Sequence, residues 1–239
     1  VSALSTPAVQ QPGISFRGFT IRTSTRQNSE TQSLEQPEKS FRTELIHRMQ
    51  TLIFATNNQH KVAEIRAVLG NRFHIIPLQE AGIDIDIPEP HDTLEANAQE
   101  KSQTIHRLTG QDCFSEDTGL EVPALNGEPG VKSARYAGDV RSFDANIDKL
   151  LGKLKGKTDR SARFRTVISL ILGGEEYRFE GICPGRIIDE RKGNEGFGYD
   201  PVFVPEGSDR TFAEISMEEK NKFSHRKKAM EKMIAFLSS

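Results

Sequence analysis

Residues 51–70 read TLIFATNNQHKVAEIRAVLG, and this stretch decides the fold class. The apolar run over 51–56 predicts a buried strand, and the apolar spacing over 60–69 predicts a helix that ends at Gly70. Polar side chains and Lys61 stand where the strand passes into the helix. The free N–H groups and the dipole of a helix N-terminus suit phosphate, although the stretch lacks the G-x-x-x-x-G-K-[ST] pattern of a P-loop. Taken alone, a plain helix cap with a solvated lysine is the simpler interpretation.

The pattern along the remaining chain predicts an α/β protein with a mixed sheet. Strands alternate with helices in the first half, and a long hairpin with a Gly173-Gly174 turn follows. The predicted strands cover 51–56, 73–78, 112–118, 164–172 and 175–182. The predicted helices cover 60–69, the stretch from an Asp92–Glu95 capping box to about Leu108, 142–154, a short turn from Ser216, and a final helix capped by Ser224.

The first 48 residues differ in composition from the rest. They are rich in Ser, Thr, Gln and Arg, and they carry six basic and four acidic residues, without a hydrophobic period. This composition predicts a disordered extension, 1–48, before a domain at 49–239. Because the chain starts with Val and Met49 precedes the first strand, a start assigned too early is the favoured explanation. An organelle transit peptide, suggested by the arginines and lack of acids early in the extension, is second, and a functional tail is third.

Composition also limits the partners and the location. The formal net charge of −2 gives no reason to expect a nucleic acid or a membrane surface as partner. No apolar run reaches the roughly 20 residues that a membrane helix needs. Cys113 and Cys183 lie far apart in the sequence and are expected to be small core residues in a reducing compartment. We therefore expect a cytoplasmic protein.

Three further clusters could carry chemistry, and each signal is weak alone. Glu116 and Asp117 close an apolar strand, where α/β proteins bind ligands and where carboxylates suit Mg²⁺, although an acidic turn is the alternative. The glycines and aromatic residues of 197–201 would let a flat base approach and stack, at even odds with a plain turn. Lys220 and the Ser-His-Arg run at 224–226 suit an anion at a helix N-terminus, although a solvated basic face explains them more simply.

Together, four ordered motifs carry a specific resemblance. TNNQHK, EDTGLEVPALNGEPGVKSARYAG, GFGYDPVF and EEKNKFSHRKKAM closely resemble the inosine triphosphate, or non-canonical purine nucleoside triphosphate, pyrophosphatase family, from Met49 to about Leu237. The resemblance implies an elongated mixed-sheet α/β fold and a Mg²⁺-dependent homodimer. It also implies hydrolysis of ITP, dITP and XTP to the monophosphate and pyrophosphate. The alternatives are a related pyrophosphatase for modified pyrimidines and a nucleotide-binding module without turnover.

The resemblance further implies roles for individual residues. Asp117 matches the carboxylate that is both catalytic and metal-binding. The family often has a metal-linked Glu directly before the Asn of the second helix, but Ala96 stands there, so Glu95 and Glu116 are the candidates for a second metal ligand. The implied substrate contacts are Thr56, Asn57, Asn58, Gln59, His60, Lys61, Thr118, Phe197, Gly198, Tyr199, Asp200, Lys220, His225 and Arg226.

These contacts divide between the phosphate and the base. The segment with Lys61 would hold the triphosphate, and Asn57 in it replaces the usual Gly while still tolerating a left-handed turn. Thr118 stands where Ser is common. Arg226 donates only and His225 can donate, so both are expected to pair with the 6-oxo group of inosine or xanthine and to face the 6-amino group of ATP unpaired.

Overall fold

The computed structural model describes residues 50–69 and 73–239. The predicted extension over 1–48 and the helix end at Gly70 lie outside these ranges and stay predictions. The strands are β1 (Gln50–Phe54), β2 (Phe73–Pro77), β3 (Cys113–Glu121), β4 (Pro129–Gly130), β5 (Ser161–Leu172), β6 (Glu175–Ile187) and β7 (Phe203–Pro205). The α-helices are α1 (Gln59–Leu69), α2 (Leu94–Thr109), α3 (Phe143–Leu154), α4 (Met217–Lys220) and α5 (His225–Leu237).

The described strands form one mixed sheet, as the sequence predicts. Their order is β2-β1-β3-β5-β6-β7, and β4 pairs with β3. β1 lies parallel to β2 and β3, with α1 and α2 in the connections, whereas all other pairs are antiparallel. None of the helices in the described part of the chain is both long and apolar enough to cross a membrane.

The hairpin of β5 and β6 forms the long axis of the sheet. The two strands are paired from Ser161 with Arg186 to Leu172 with Glu175, beyond the limits that the sequence predicts. Twelve residues of strand span about 40 Å at ~3.3 Å per residue. The predicted turn is confirmed, because Gly173 and Gly174 join the strands at φ of 60° and 89°, a conformation that favours glycine.

Apolar side chains pack on both faces and at one end of the sheet. Helices α1 and α5 cover one face over a stacked pair, Phe54 and Phe114, whose ring centroids are 4.5 Å apart. Helix α2 covers the other face, where Cys113 is fully buried. Helix α3 packs at the far end, in a cluster that includes Cys183. Both cysteines are buried, which confirms that they are core residues, and burial raises the pKa of each thiol to about 12, which disfavours the reactive thiolate.

Strand β3 does not end where the sequence predicts. It continues to Glu121 and stays paired with β5 throughout, so Glu116 and Asp117 lie inside the sheet and not at its edge. Because successive side chains of a strand point to opposite faces, the two carboxylates enter different environments. Glu116 faces α1 and α5, while Asp117 faces α2.

The helix caps differ from the prediction in one detail. Ser224 caps α5 and accepts from the Lys227 N–H at 3.2 Å, as predicted. Helix α2 is capped by Thr93, which accepts from the Ala96 N–H at 3.2 Å, so the predicted capping box with Glu95 does not form. The carboxylate of Glu95 instead pairs with a side chain on β5.

Candidate active site

A cavity of about 410 Å³ lies beside the β1–α1 junction, and its volume is typical of a small-molecule site. Its walls come from that junction, β3, the segment before α2, the loop before α3, and the N-terminal end of α5. The predicted site residues that line it are Thr56, Asn57, Asn58, His60, Lys61, Asp117, Thr118, Phe197, Gly198, Tyr199, Asp200, Lys220, His225 and Arg226. Gln59, Glu95 and Glu116 are not among its lining residues.

The β1–α1 junction is held by its own side chains. Asn58 Oδ1 accepts from the N–H groups of His60 and Lys61 at 3.0 and 3.3 Å, so Asn58 already caps the helix. Asn57 does not use the left-handed conformation that asparagine tolerates. It instead donates through Nδ2 to the Ile85 carbonyl at 3.2 Å, which ties the segment before α2 to this junction. The Lys61 ammonium lines the cavity one turn into the helix, where its side chain is 16% exposed.

A set of buried charges adjoins the cavity, and we call it the closed network: Glu64, Glu116, Asp200, Lys220 and Arg226, of which the last three also line the cavity. The Arg226 guanidinium makes two hydrogen bonds to Glu116, Nε to Oε2 at 2.8 Å and Nη2 to Oε1 at 2.9 Å, and a third from Nη1 to Glu64. Lys220 Nζ donates to Glu64 at 2.8 Å and to Asp200 at 2.6 Å. The network therefore ties α1, β3, α4 and α5 together.

The charges of this network are fixed by one another. Burial alone would raise the pKa of Glu64, but Arg226 and Lys220 outweigh it and lower the pKa to about 2. Burial likewise opposes ionisation of Glu116, and Arg226 and Lys61 lower its pKa further still. Both carboxylates are therefore ionised at neutral pH, with cations against them.

This pairing bears on the expected contact of Arg226 with the base, which stays a prediction. Its three nitrogens are engaged by Glu64 and Glu116, and Nη2 also lies 3.4 Å from the hydroxyl of Thr118. Although Arg226 lines the cavity, it has little capacity left to donate to a base. Its main contacts are structural, and the neighbouring residue is the better candidate for reading the base.

His225 offers an unused polar atom. Its ring is buried, stacks on Phe164 at a centroid distance of 4.7 Å, and lines the cavity. Burial and the neighbouring Arg226 lower its pKa well below the usual value, so the imidazole is neutral. Nδ1 has no hydrogen-bond partner among the residues that the structure describes. A neutral imidazole can donate from one nitrogen and accept at the other, which suits the edge of a nucleobase.

An aromatic wall stands opposite the carboxylates. The ring of Phe197 stacks on His60 with centroids 5.0 Å apart and lies 6.2 Å from the ring of Phe143. Asp200 Oδ2 accepts from the Phe197 N–H at 2.9 Å and so holds the turn that presents this ring. Gly198 in the same turn has a φ of 63°, in the region that favours glycine. Lys220 Nζ and Arg226 Cζ also lie 5.4 and 5.8 Å from the centroid of the Phe197 ring, so the wall gives a flat ligand an aromatic lining beside these cations.

A second set of charges, Glu89, Lys101 and Asp117, lines the cavity wall, and we call it the open carboxylate site. Lys101 Nζ donates to Glu89 Oε1 at 2.7 Å and to Asp117 Oδ1 at 3.2 Å. Arg135 Nη1 lies 3.3 Å from Glu89 Oε2. The other oxygen of Asp117, Oδ2, is buried without a hydrogen-bond partner among the described residues. This site therefore has acceptor capacity left, which the closed network lacks.

The pKa values of the two carboxyl groups in this site, Asp117 and Glu89, shift in opposite directions. Burial raises the pKa of Asp117, although Lys101 and Lys61 act against this. Burial also opposes ionisation of Glu89, but Lys101 outweighs it and lowers the pKa to about 2. A carboxylate with a raised pKa in a cavity is a common arrangement for proton transfer.

The open carboxylate site also fits a magnesium ion. Mg²⁺ takes one or two protein carboxylates together with substrate phosphates, and the unpartnered oxygen of Asp117 and the carboxylate of Glu89 supply this donor set. No group of three His, Cys, Asp or Glu residues suited to a metal occurs in residues 50–69 and 73–239. The two expected second ligands lie elsewhere, since Glu95 pairs with Arg165 beside a separate cavity and Glu116 belongs to the closed network.

The sequence did not identify Glu64, Glu89 or Lys101. Glu64 and Lys101 stand at buried positions of amphipathic helices, and a charge on an apolar helix face is the signal that could have found them. Glu89 lies in an irregular segment, Pro88-Glu89-Pro90, and carries no local signal. Its place beside Asp117 comes only from the tertiary fold.

Comparison with known proteins gives consistent matches. The sequence model of the Ham1 family matches residues 52–236. The dITP/XTP pyrophosphatase of Porphyromonas gingivalis is 50% identical over 190 residues, which are 79% of this chain and 98% of that protein. The dITP/XTP pyrophosphatase of Flavobacterium johnsoniae is 48% identical over 188 residues, with coverage of 79% and 98%.

Solved structures agree in fold. The Staphylococcus aureus Ham1 protein is 42% identical, with a TM-score of 0.72 over 79% of this chain and 98% of that chain. A HAM1 protein from Coxiella burnetii is 36% identical, with a TM-score of 0.73 over 80% and 99%. The stretch that the family model matches contains both charge clusters and the aromatic wall.

Proposed function

The chain belongs to the Ham1 family, and we propose that it hydrolyses the non-canonical purine nucleoside triphosphates ITP, dITP and XTP to the monophosphate and pyrophosphate. The printed activity of its relatives supports this substrate class. The observation that carries the chemistry is the buried, unpartnered Oδ2 of Asp117 in a cavity with cations and an aromatic wall.

We place the triphosphate towards the β1–α1 junction and the base against Phe197. Arg141 is exposed and lines the cavity, and Lys61 lines it while its Nζ lies 3.1 Å from Glu116 Oε1, so both can supply positive charge to the phosphates. The rings of Phe197 and His60 line the cavity side by side, so the purine can pack against this aromatic pair. The α-phosphate then falls between these ends, beside Asp117.

In this arrangement Asp117 handles the attacking water. Its free Oδ2 orients the molecule and accepts the proton, while Lys101 holds Oδ1 and fixes the carboxylate. The water oxygen bonds to the α-phosphorus, the bond from that phosphorus to the bridging oxygen breaks, and pyrophosphate leaves with the electron pair. Lys61 stabilises the negative charge that develops on this leaving group, as positioned cations do in phosphoryl-type transfers.

The proposed cofactor is Mg²⁺, held by Asp117 and Glu89. When bound, the ion neutralises phosphate charge and lowers the barrier to attack at phosphorus. The resemblance adds two further expectations, a homodimer and a cytoplasmic location. Light scattering of the purified protein should give twice the mass of one chain, and a monomer at all concentrations would contradict the first of these.

The base is read by His225 and the turn at Gly198. A neutral imidazole N–H and backbone N–H groups pair with the 6-oxo acceptor of inosine and xanthine. The 6-amino group of ATP would leave these donors unpaired in a partly dry site, and sites built this way can discriminate by roughly 10⁴-fold. Selectivity against GTP must come from its 2-amino group, which no residue described above is placed to reject.

Product analysis tests the proposal. Purified protein with Mg²⁺ is given ITP, dITP, XTP, ATP, GTP and a modified pyrimidine triphosphate, and nucleotides and pyrophosphate are separated by ion-exchange chromatography. We expect equal amounts of monophosphate and pyrophosphate from ITP, dITP and XTP, little turnover of ATP, and none in EDTA. A nucleoside diphosphate with orthophosphate, or turnover confined to the pyrimidine, would overturn the proposed function.

A further inference from the structure

Asn97 on α2 clamps the backbone of the segment that carries Glu89. The residue is 1% exposed. Its Oδ1 accepts from the His91 N–H at 2.9 Å, and its Nδ2 donates to the His91 carbonyl at 3.0 Å. Both hydrogen-bonding groups of one backbone residue are thus satisfied by a single side-chain amide.

The clamped segment depends on such contacts for its shape. Residues 83–92 form no helix or strand, so no regular backbone ladder holds them. Asn57 fixes the segment near its start, through the Ile85 carbonyl. Asn97 fixes it two residues after Glu89. The position of the Glu89 carboxylate in the cavity therefore depends on where α2 holds His91.

The same helix also contacts the carboxylate itself. Lys101 lies four residues after Asn97, on the same face of α2, and pairs with both Glu89 and Asp117. One helix face thus holds the backbone beside Glu89 with an amide and its carboxylate with an ammonium. Lys101 can follow the carboxylate if the backbone shifts, because its chain is long and flexible, whereas the short Asn97 amide cannot.

We propose that Asn97 is a positioning residue that keeps Glu89 within reach of the cation that Asp117 binds. The proposal rests on the proposed function, and it assigns Asn97 no contact with substrate or metal. An amide is required because it carries a donor and an acceptor side by side. A leucine of similar size would fill the space but leave His91 unheld, and Glu89 would then sample positions away from Asp117.

Direct metal binding tests this role without turnover. Mn²⁺ is titrated into the protein with a non-hydrolysable α,β-methylene analogue of ITP, and free Mn²⁺ is measured by electron paramagnetic resonance. We expect Asn97→Leu to weaken Mn²⁺ binding by at least about tenfold, the lower end of the range for residues that orient metal ligands. The matched control is Gln99→Leu on the same helix, whose amide bonds Glu176 and not the Glu89 segment. This control should bind Mn²⁺ as tightly as the wild type.

Two further measurements separate positioning from general damage. Thermal unfolding shows whether Asn97→Leu is folded, and if it is not, Asn97→Ser replaces it, since serine is too short to hold both groups of His91. Raised Mg²⁺ should restore turnover of ITP by the folded variant, because its ligands are intact and only misplaced. It should not restore turnover by Asp117→Asn.

The outcomes are distinct for the two proposals. If the wild type binds no Mn²⁺ with the analogue, the metal site of the proposed function fails. If the wild type binds Mn²⁺ and the folded Asn97 variant binds it equally well, the role of Asn97 is overturned while the proposed function stands.

Discussion

The closed network and the open carboxylate site are both built from buried charges on neighbouring elements, yet only one leaves an atom unsatisfied. In the closed network each carboxylate and each cation is bonded inside the protein: Arg226 holds both Glu64 and Glu116, Lys220 also holds Glu64, and Lys61 also pairs with Glu116. In the open carboxylate site, Lys101 bonds one oxygen of Asp117, and the other oxygen has no partner among the described residues.

The difference separates residues that stabilise the fold from residues that can bind a ligand or transfer a proton. A saturated set of buried charges cannot bind a ligand without breaking its own ion pairs, but removing one member leaves others unpaired and costs much stability. A buried carboxylate oxygen without a partner is costly to the fold and free to accept a proton or a metal. Loss of the first set should therefore affect folding, and loss of the second should affect turnover.

The largest expected effect is on folding. Arg226→Ala removes the guanidinium shared by Glu64 and Glu116 and leaves Lys220 on Glu64 and Lys61 on Glu116, so we expect the free energy of unfolding to fall by about 3 kcal/mol, the lower end of the range for breaking a buried ion pair. Arg66→Ala is the control, because its ion pair with Glu80 is half exposed and should be worth less than about 1 kcal/mol. Urea unfolding followed by circular dichroism measures both. Equal losses in the two variants would remove the distinction between a buried network and a surface pair.

The next effect is on turnover. Asp117→Asn keeps the shape of the side chain but removes its charge, so kcat for ITP at saturating Mg²⁺ should fall at least about 100-fold, while thermal stability stays close to wild type. Glu95→Gln is the control, since Glu95 faces a different cavity and its loss should change kcat by no more than a few-fold. Near-native turnover by Asp117→Asn would refute the assignment. A strong loss in Glu95→Gln would instead return Glu95 to the site.

The sequence predicts local features of the fold better than the contacts within these two regions. Alternating strands and helices, the Gly173-Gly174 turn and the Ser224 cap have local causes, and all are found in the structure. The end of β3 is the exception: the strand continues past Glu116 and Asp117 to Glu121, so these adjacent carboxylates point to opposite faces of the sheet.

Local sequence patterns do not show which distant elements contact one another. Glu89 and Lys101 reach Asp117 from an irregular segment and a helix, and Glu64 meets Arg226 across 162 positions of the chain. Nothing in the local spacing of these residues encodes such contacts. The ion pairs of Arg226 with Glu64 and Glu116 are likewise absent from any local pattern.

A substitution outside both regions should have a smaller effect, which distinguishes the closed network from the open carboxylate site. Gly181 on β6 lies so close to α5 that a Cβ there would collide with the His225 carbonyl and the Ala229 N–H. Gly181→Ala should push the start of α5 off the sheet, disturb the closed network and cost about 1–3 kcal/mol of unfolding free energy. The dependence of turnover on Mg²⁺ concentration should not change. A shift in that dependence, with full stability, would show that the two regions are coupled.

The smallest expected effect concerns base selection. His225→Phe keeps the stack on Phe164 but removes the polar ring atoms, so the ratio of kcat/KM for ITP to that for ATP should fall about tenfold, the value of one hydrogen bond. Lys61→Ala should lower kcat/KM for both nucleotides alike, because the proposed contact of Lys61 is with phosphate, which ITP and ATP share. If His225→Phe lowers both nucleotides equally, the base is read elsewhere.

Turnover of ITP in water enriched in ¹⁸O tests the central claim most directly, because it shows which phosphorus the water attacks. If water held by Asp117 attacks the α-phosphorus, one labelled oxygen enters each inosine monophosphate and pyrophosphate stays unlabelled by mass spectrometry. Label in pyrophosphate, with none in the monophosphate, would mean attack at the β-phosphorus and would contradict the placement of the triphosphate in this cavity.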